Sequence, residues 1–240
     1  MMVDLTVEMA QLWASLRPAS PVHASAPQVI QFVAATSGEG TSTVAREFAR
    51  FAAARAQRPV WLIETDLIAG VQHSEISEHA IVYGALGRQT AASPDGSCFF
   101  TVQPPALAPD GRPWPSSRYL VAFPVAHPMG GPGFWVTRFR REALRPGQTA
   151  QLLPSADYWN ALRRHAELIV IDSPSADHSI AARTLAPLVD TTVLVMAGDR
   201  GDPAAASRLK AALNEAGGRC AGVFLNRVVA DAPAHRGRGG

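Results

Sequence analysis

The stretch Gln31-Phe-Val-Ala-Ala-Thr-Ser-Gly-Glu-Gly-Thr-Ser-Thr-Val-Ala-Arg-Glu-Phe-Ala-Arg50 decides how this chain is read. Residues 29–34 are a short apolar run, as in a buried strand. Residues 36–42 are small and carry two glycines. From Thr43 onward apolar residues recur at helical spacing, with Val44, Phe48 and Phe51 on one side. Strand, glycine loop and helix in that order aim backbone N–H groups and a helix dipole at an anion. The phosphate-loop pattern is G-x-x-x-x-G-K-[ST]. Gly40 and Ser42 stand in register with it, but Ala35 replaces the first glycine and Thr41 replaces the lysine. The cradle is therefore present without its one mobile positive charge.

Outward from this loop, composition sets bounds. A chain of 240 residues can bury one sizeable core, as a domain with or without a long insertion. A net charge of +2, with no basic stripe, argues against nucleic acid as a partner. Cys98 and Cys220 match no metal-ligand spacing and read as free thiols of a reducing compartment. Asp4 and Glu8 do not suit a signal peptide, and no apolar run approaches the ~18 residues of a membrane span. The expected location is the cytoplasm.

The expected organisation is an N-terminal helix and Pro/Ala/Ser-rich linker over 1–27, a main domain over 28–230, and a disordered tail over 231–240. The helix, over 3–16, is expected to serve either as a brace or as an oligomer or partner contact. Strands are expected at 29–34, 60–64, 168–172, 191–197 and 221–226, alternating with helices. Within the domain, residues from about 68 to 154 form an insertion holding eleven of the 19 prolines. It contains two apolar runs, 119–125 and 134–139, with 126–133 as a hairpin loop between them and 88–118 as a partly disordered loop. In the second run Trp135, Thr137 and Phe139 share one side. Arg138, Arg140, Arg141 and Arg145 follow; they read as a solvated edge, or as a patch for phosphate, an acidic partner or a lipid surface, and they are a candidate stand-in for the missing lysine.

The strands at 60–64 and 168–172 end in Glu64-Thr65-Asp66 and Asp172. In open α/β sheets ligands bind at such carboxyl ends. Beside a phosphate loop, Ser42, Asp66 and Asp172 form the expected Mg²⁺ set, and Asp66 and Asp172 are the catalytic candidates if the chain is active.

Taken together, Ser37-Gly38-Glu39-Gly40-Thr41-Ser42-Thr43, Leu62-Ile63-Glu64-Thr65-Asp66-Leu67, 168–174, and the run from Leu185 through Gly222-Val-Phe-Leu-Asn-Arg-Val resemble four motifs of the bacterial tyrosine kinases of capsular and exopolysaccharide export, within the MinD- and ParA-like P-loop ATPases. The order and spacing of the motifs carry the resemblance, which leaves out 68–154. It implies an α/β fold with a doubly wound, mostly parallel sheet of the P-loop NTPase type. It also implies nucleotide contacts from Gly38, Glu39, Gly40, Thr41, Ser42, Thr43, Asn226 and Arg227, with ATP or ADP and Mg²⁺ as weak cofactors. Gln11-Leu-Trp-Ala-Ser-Leu-Arg17 is similar to the helix those kinases use for ring assembly, keeping only Arg17 of its charges.

The departures shape the functional expectation. Thr41 supplies no charge, Glu64 stands for an aspartate, and the tail lacks the tyrosine cluster that such kinases phosphorylate; the tyrosines are Tyr83, Tyr119 and Tyr158. Losing an electrostatic stabiliser costs on the order of 10²–10³ in rate. The expectation is a non-catalytic or weakly nucleotide-binding relative that regulates or scaffolds exopolysaccharide biosynthesis. It would dock on a membrane chain-length or export protein at the inner membrane face, with a homo-oligomer as a further association. The alternatives are an ATPase switch that dimerises on ATP, an active autophosphorylating kinase, and a retained loop whose pocket Thr41 has closed.

Overall fold

The computed structural model describes residues 4–16, 27–105, 112 and 120–228. The expected linker and tail lie outside them, apart from Pro27. Ten strands are described: β1 (Gln28–Ala34), β2 (Val60–Glu64), β3 (Thr90–Ala91), β4 (Phe100–Gln103), β5 (Pro124–Pro128), β6 (Phe134–Phe139), β7 (Thr149–Leu152), β8 (Leu168–Asp172), β9 (Thr191–Ala197) and β10 (Cys220–Asn226). Eight form one sheet in the order β10-β9-β1-β8-β2-β6-β5-β3. From β10 to β6 every pairing is parallel, and β5 and β3 add antiparallel strands. β4 and β7 form a separate antiparallel ribbon.

Parallel strands need both faces covered, and the chain supplies helices to each. Ile30, Phe32, Leu62, Val170 and Val193 pack against α2 (Thr41–Ala53) through Val44 and Phe48, with Met9 of α1 (Thr6–Leu16) behind them. α3 (Val71–Glu78) and α4 (Ala80–Tyr83) complete that face through Ile76 and Tyr83. On the opposite face Val29, Ile63, Ile169 and Ile171 meet Tyr158, Trp159 and Leu162 of α5 (Ala156–Arg163). Val33 and Leu194 meet α6 (Ala181–Leu185) and α7 (Pro203–Glu215). Strand residues of alternating parity thus serve opposite faces, as the strand period requires.

Local chemistry sets the element ends. The Asp4 carboxylate accepts the Thr6 N–H at 3.0 Å and so starts α1. Asp202 accepts the Ala204 N–H at 2.8 Å, Pro203 opens α7, and Gly217, at φ 87°, follows its end. No helix among the described residues is long and apolar enough to cross a membrane.

The inserted segment departs most from expectation. Its first strand is β5, displaced from 119–125 to Pro124–Pro128, because Leu120–Phe123 close a turn, with Phe123 N–H donating to Leu120 at 3.1 Å. β5 is tolerated with a proline at each end because its outer partner, β3, spans only two residues. The turn to β6 is accordingly shorter than 126–133. β6 matches the expected 134–139 run but is an interior strand between β2 and β5, so Arg138 does not lie on an edge strand. Trp135 and Phe139 do share a face, while Phe134 and Val136 serve the other. Residues 90–91 and 100–103, expected within a loop, are strands.

Candidate functional site

Two glycines shape the loop between β1 and α2. Gly38 and Gly40 have φ of 79° and 92°, the left-handed region in which a side chain is strained. Gly40 immediately precedes α2 and lies against Asn226, whose Nδ2 donates to the Glu39 carbonyl at 2.9 Å. A Cβ at Gly40 would collide with that carboxamide. The first turn of α2 leaves the N–H groups of Thr41, Ser42 and Thr43 without intrahelical acceptors. A cleft of about 270 Å³ opens there, lined by the loop and faced by Asp66, Ser173 and His178. Its own carboxylates already engage it: Glu39 accepts the Thr36 N–H and Asp177 the Ser37 N–H, each at 3.1 Å.

The acidic strand ends come together beside it. Glu64 and Asp172 are register partners at the ends of β2 and β8, and both are buried. Burial, reinforced by the Asp172 carboxylate, pushes Glu64 up to about 8. Burial likewise raises Asp172 to about 6, against the pull of the Gln72 amide and the Ser42 hydroxyl. Glu64 accepts the N–H groups of Val71 and Gln72 at 2.6 and 3.2 Å, so it fastens the start of α3 to β2. From that turn the Gln72 carboxamide reaches back, donating to the Ser42 carbonyl at 2.8 Å and to Asp172 Oδ2 at 2.7 Å. Its oxygen accepts from buried Arg46 at 3.0 Å. Arg46 also donates to the Tyr83 hydroxyl at 3.0 Å, which donates to Glu47 at 2.8 Å.

The phosphate part of an implied nucleotide fits this site, on the left-handed glycines and the first-turn N–H groups. The carboxylates that would hold a divalent ion are each already engaged at one oxygen. Asp66 Oδ1 holds the N–H groups of Ile68 and Ala69, each at 2.9 Å, and Gln72 holds Asp172 Oδ2. Asp172 Oδ1 is left buried without a hydrogen-bond partner. Among the described residues no three His, Cys, Asp or Glu side chains gather as a metal site.

The structure thus groups Gly38 to Thr43, Asp66 and Asn226 around the loop. Arg227 is exposed, at φ 57°, and its N–H turns to Asn226 Oδ1. Arg138 and Arg140 bind Glu142 at 2.9 and 3.7 Å, and no contact brings them to the loop. The arginine that reaches it is Arg200, from the β9–α7 turn, whose guanidinium donates to the Gly38 carbonyl. Sequence reasoning missed Arg200, Gln72 and Arg46. Arg46 left a signal, a charged residue between Val44 and Phe48 on the buried side of α2; Gln72 and Arg200 left none.

No protein-family profile matches the chain. A stretch of 89 residues is 29% identical to CapB of Staphylococcus aureus, which carries a tyrosine-protein kinase name; it covers 36% of this chain and 39% of that protein. The chain therefore spans well under half the length of the curated relative it matches. The kinase domain of the Escherichia coli tyrosine kinase ETK superposes with a TM-score of 0.56 at 18% identity, over 88% of this chain and 72% of that one. The fold is that of the bacterial tyrosine kinase domains. The VpsO kinase domain gives the same TM-score, 0.56, at 20% identity over 94% and 96% of the two chains. A ParA-family ATPase of Chlorobium tepidum gives 0.50 at 14% identity over 84% and 74%. The tyrosine-kinase-like and ParA-like α/β architecture is thus shared, with the mostly parallel sheet its common element.

Proposed function

We propose that this chain is a tyrosine-kinase-like P-loop protein that holds a nucleotide weakly, turns it over poorly, and regulates or scaffolds exopolysaccharide biosynthesis or export. One observation carries the reading. The loop keeps its left-handed glycines, its first-turn N–H groups and Asn226, yet Thr41 stands where the charged residue of phosphoryl transfer belongs. Binding through backbone N–H groups survives that replacement, whereas stabilisation of charge developing on the transferred phosphoryl does not. Because Tyr83 is buried in the Arg46 network, it is withheld from phosphorylation.

The pathway assignment rests on the resemblance to the export kinases and on the CapB match. A cytoplasmic protein docked on a membrane export partner, and associating with further copies, suits that pathway. β10 leaves Val223 and Leu225 exposed at the end of the sheet, an apolar surface for such contacts. Isothermal titration of the purified chain with ATP and MgCl₂ tests the reading. Weak binding without hydrolysis is expected. Tight binding with brisk hydrolysis would instead make the chain a working ATPase switch.

A further inference from the structure

Two charges are missing or masked at this loop, and the structure supplies a substitute beside each. The first is the lysine. The chain holds a single lysine, Lys210, which lies on α7 away from the loop's lining. Arg200 does reach the loop, from the exposed turn that follows β9. Its guanidinium touches the Gly38 carbonyl, and a Cβ built on Gly38 would stand 2.8 Å from Arg200 Nη2. Gly38 is thus a glycine where the arginine crosses. A guanidinium carries five N–H donors and stays charged at any working pH. One donor on Gly38 leaves the rest, and the whole charge, beside the loop at Gly38, which itself lines the cleft. Arginine also meets phosphate oxygens in pairs, which a lysine does not.

The second charge is that of the divalent ion. An ion bridging Ser42, Asp172 and a phosphate needs the space beside the Asp172 carboxylate. The Gln72 carboxamide holds that carboxylate and the Ser42 carbonyl together, at 2.7 and 2.8 Å. Its orientation is fixed, because Arg46 Nη1 donates to its oxygen at 3.0 Å and a reversed amide would set oxygen against carboxylate. Its backbone is fixed too, through the Gln72 N–H to Glu64. Gln72 and Arg46 are fully or nearly fully buried. A donor to one oxygen of Asp172 is therefore built into the fold, with the Arg46 charge behind it.

We propose that the loop takes a phosphate-bearing ligand without a divalent cation, Arg200 supplying the charge that Thr41 lacks and Gln72 holding the place beside Asp172 that the cation would take. The inference deepens the weak-binding reading above and rests on it. A nucleoside diphosphate fits this chemistry, since its terminal phosphate meets the loop N–H groups and Arg200 together. The ligand class is set by that phosphate, and the base makes no demand on the two substitutes.

The test is calorimetric titration of ADP into the full chain, in MgCl₂ and in EDTA, for wild type, Arg200→Ala, Arg200→Lys, Gln72→Ala and Thr41→Lys. Wild-type affinity is expected to agree within about twofold in the two buffers. Loss of a charge-assisted hydrogen bond is worth roughly 10- to 100-fold, so Arg200→Ala should weaken binding by that factor and Arg200→Lys by less. Arg200 is exposed on a turn, so its variants should melt as wild type does. Gln72→Ala, which uncovers Asp172, should make binding tighter in MgCl₂ than in EDTA. Wild-type binding abolished by EDTA, Arg200→Ala binding as wild type does, or Gln72→Ala remaining indifferent to MgCl₂ would overturn the inference. If Thr41→Lys binds ADP and wild type does not, the cradle stands and the substitute charges fall. If neither binds, the weak-binding reading falls with them.

Discussion

From β10 to β2 the sheet consists of largely apolar parallel strands, while β5 and β3 add an antiparallel flank to β6, with proline at each end of β5 and a turn over 129–133 between β5 and β6. The first region carries the phosphate loop and the acidic strand ends. The second carries no part of them, yet holds them in place. Thr137 of β6 receives the Glu64 N–H at 3.3 Å, and Tyr83, which follows the loop into the insertion, anchors Arg46. What differs is the source of order. Buried β-branched and aliphatic runs specify parallel strands by themselves. The inserted strands are specified by partners far away in sequence and by an aromatic cluster, in which Phe99 packs on Tyr158 and Trp159 at 4.8 and 5.4 Å.

Substitutions in the two regions should therefore differ in size. Phe32→Ala removes a fully buried ring from β1 that packs on Phe48 at 5.3 Å. It should cost about 3–5 kcal/mol in urea unfolding. Arg46→Met, at the junction of the regions, takes a buried donor away from the Gln72 oxygen and from the Tyr83 hydroxyl. A loss of about 2–3 kcal/mol is expected, since removing one partner of a buried hydrogen bond costs about 1–3 kcal/mol. If Arg46→Met proves neutral, the insertion does not depend on the loop helix.

The boundary also carries a pH signature. Glu64 rises from 4.5 to about 8 on folding, so the folded chain holds that proton more tightly than the unfolded one. Its contribution is complete below about 4.5 and is lost as pH climbs through about 8. Asp172, raised to about 6, acts in the same direction. Thermal unfolding midpoints should thus decline across this window, and Glu64→Gln should flatten most of the decline; an unchanged slope would remove Glu64 as its source. The smallest effect is expected at Leu152→Ala on the ribbon, about 1 kcal/mol, because this side chain is only partly buried. A loss matching that of Phe32→Ala would show the ribbon to be as integral as β1.

The same contrast explains which parts of the molecule are legible in its sequence. The strands β1, β2, β8, β9 and β10 announce themselves as apolar runs, and their acidic or polar ends fall where ligands bind in open sheets. The glycine loop is equally legible, because only glycine suits the left-handed positions at Gly38 and Gly40. β3, β4 and β7 span only two to four residues, too short to register as strands. Prolines hide the start of β5. At the site, residues near the loop in sequence can be recognised, and those that fold back to it cannot. Gln72 lies on a helix of ordinary composition and Arg200 on a polar turn; nothing local distinguishes either. The Arg138–Arg145 cluster stands out as a candidate because it is dense, but density does not place a charge.

The most direct test of the central claim is a steady-state ATP hydrolysis assay with MgCl₂ on the wild-type chain, paired with calorimetric ADP binding on the same preparation. A chain that keeps the cradle but has lost the charge of phosphoryl transfer should bind ADP weakly and hydrolyse ATP no faster than a protein-free blank. Brisk hydrolysis that disappears in Asp172→Ala would contradict it.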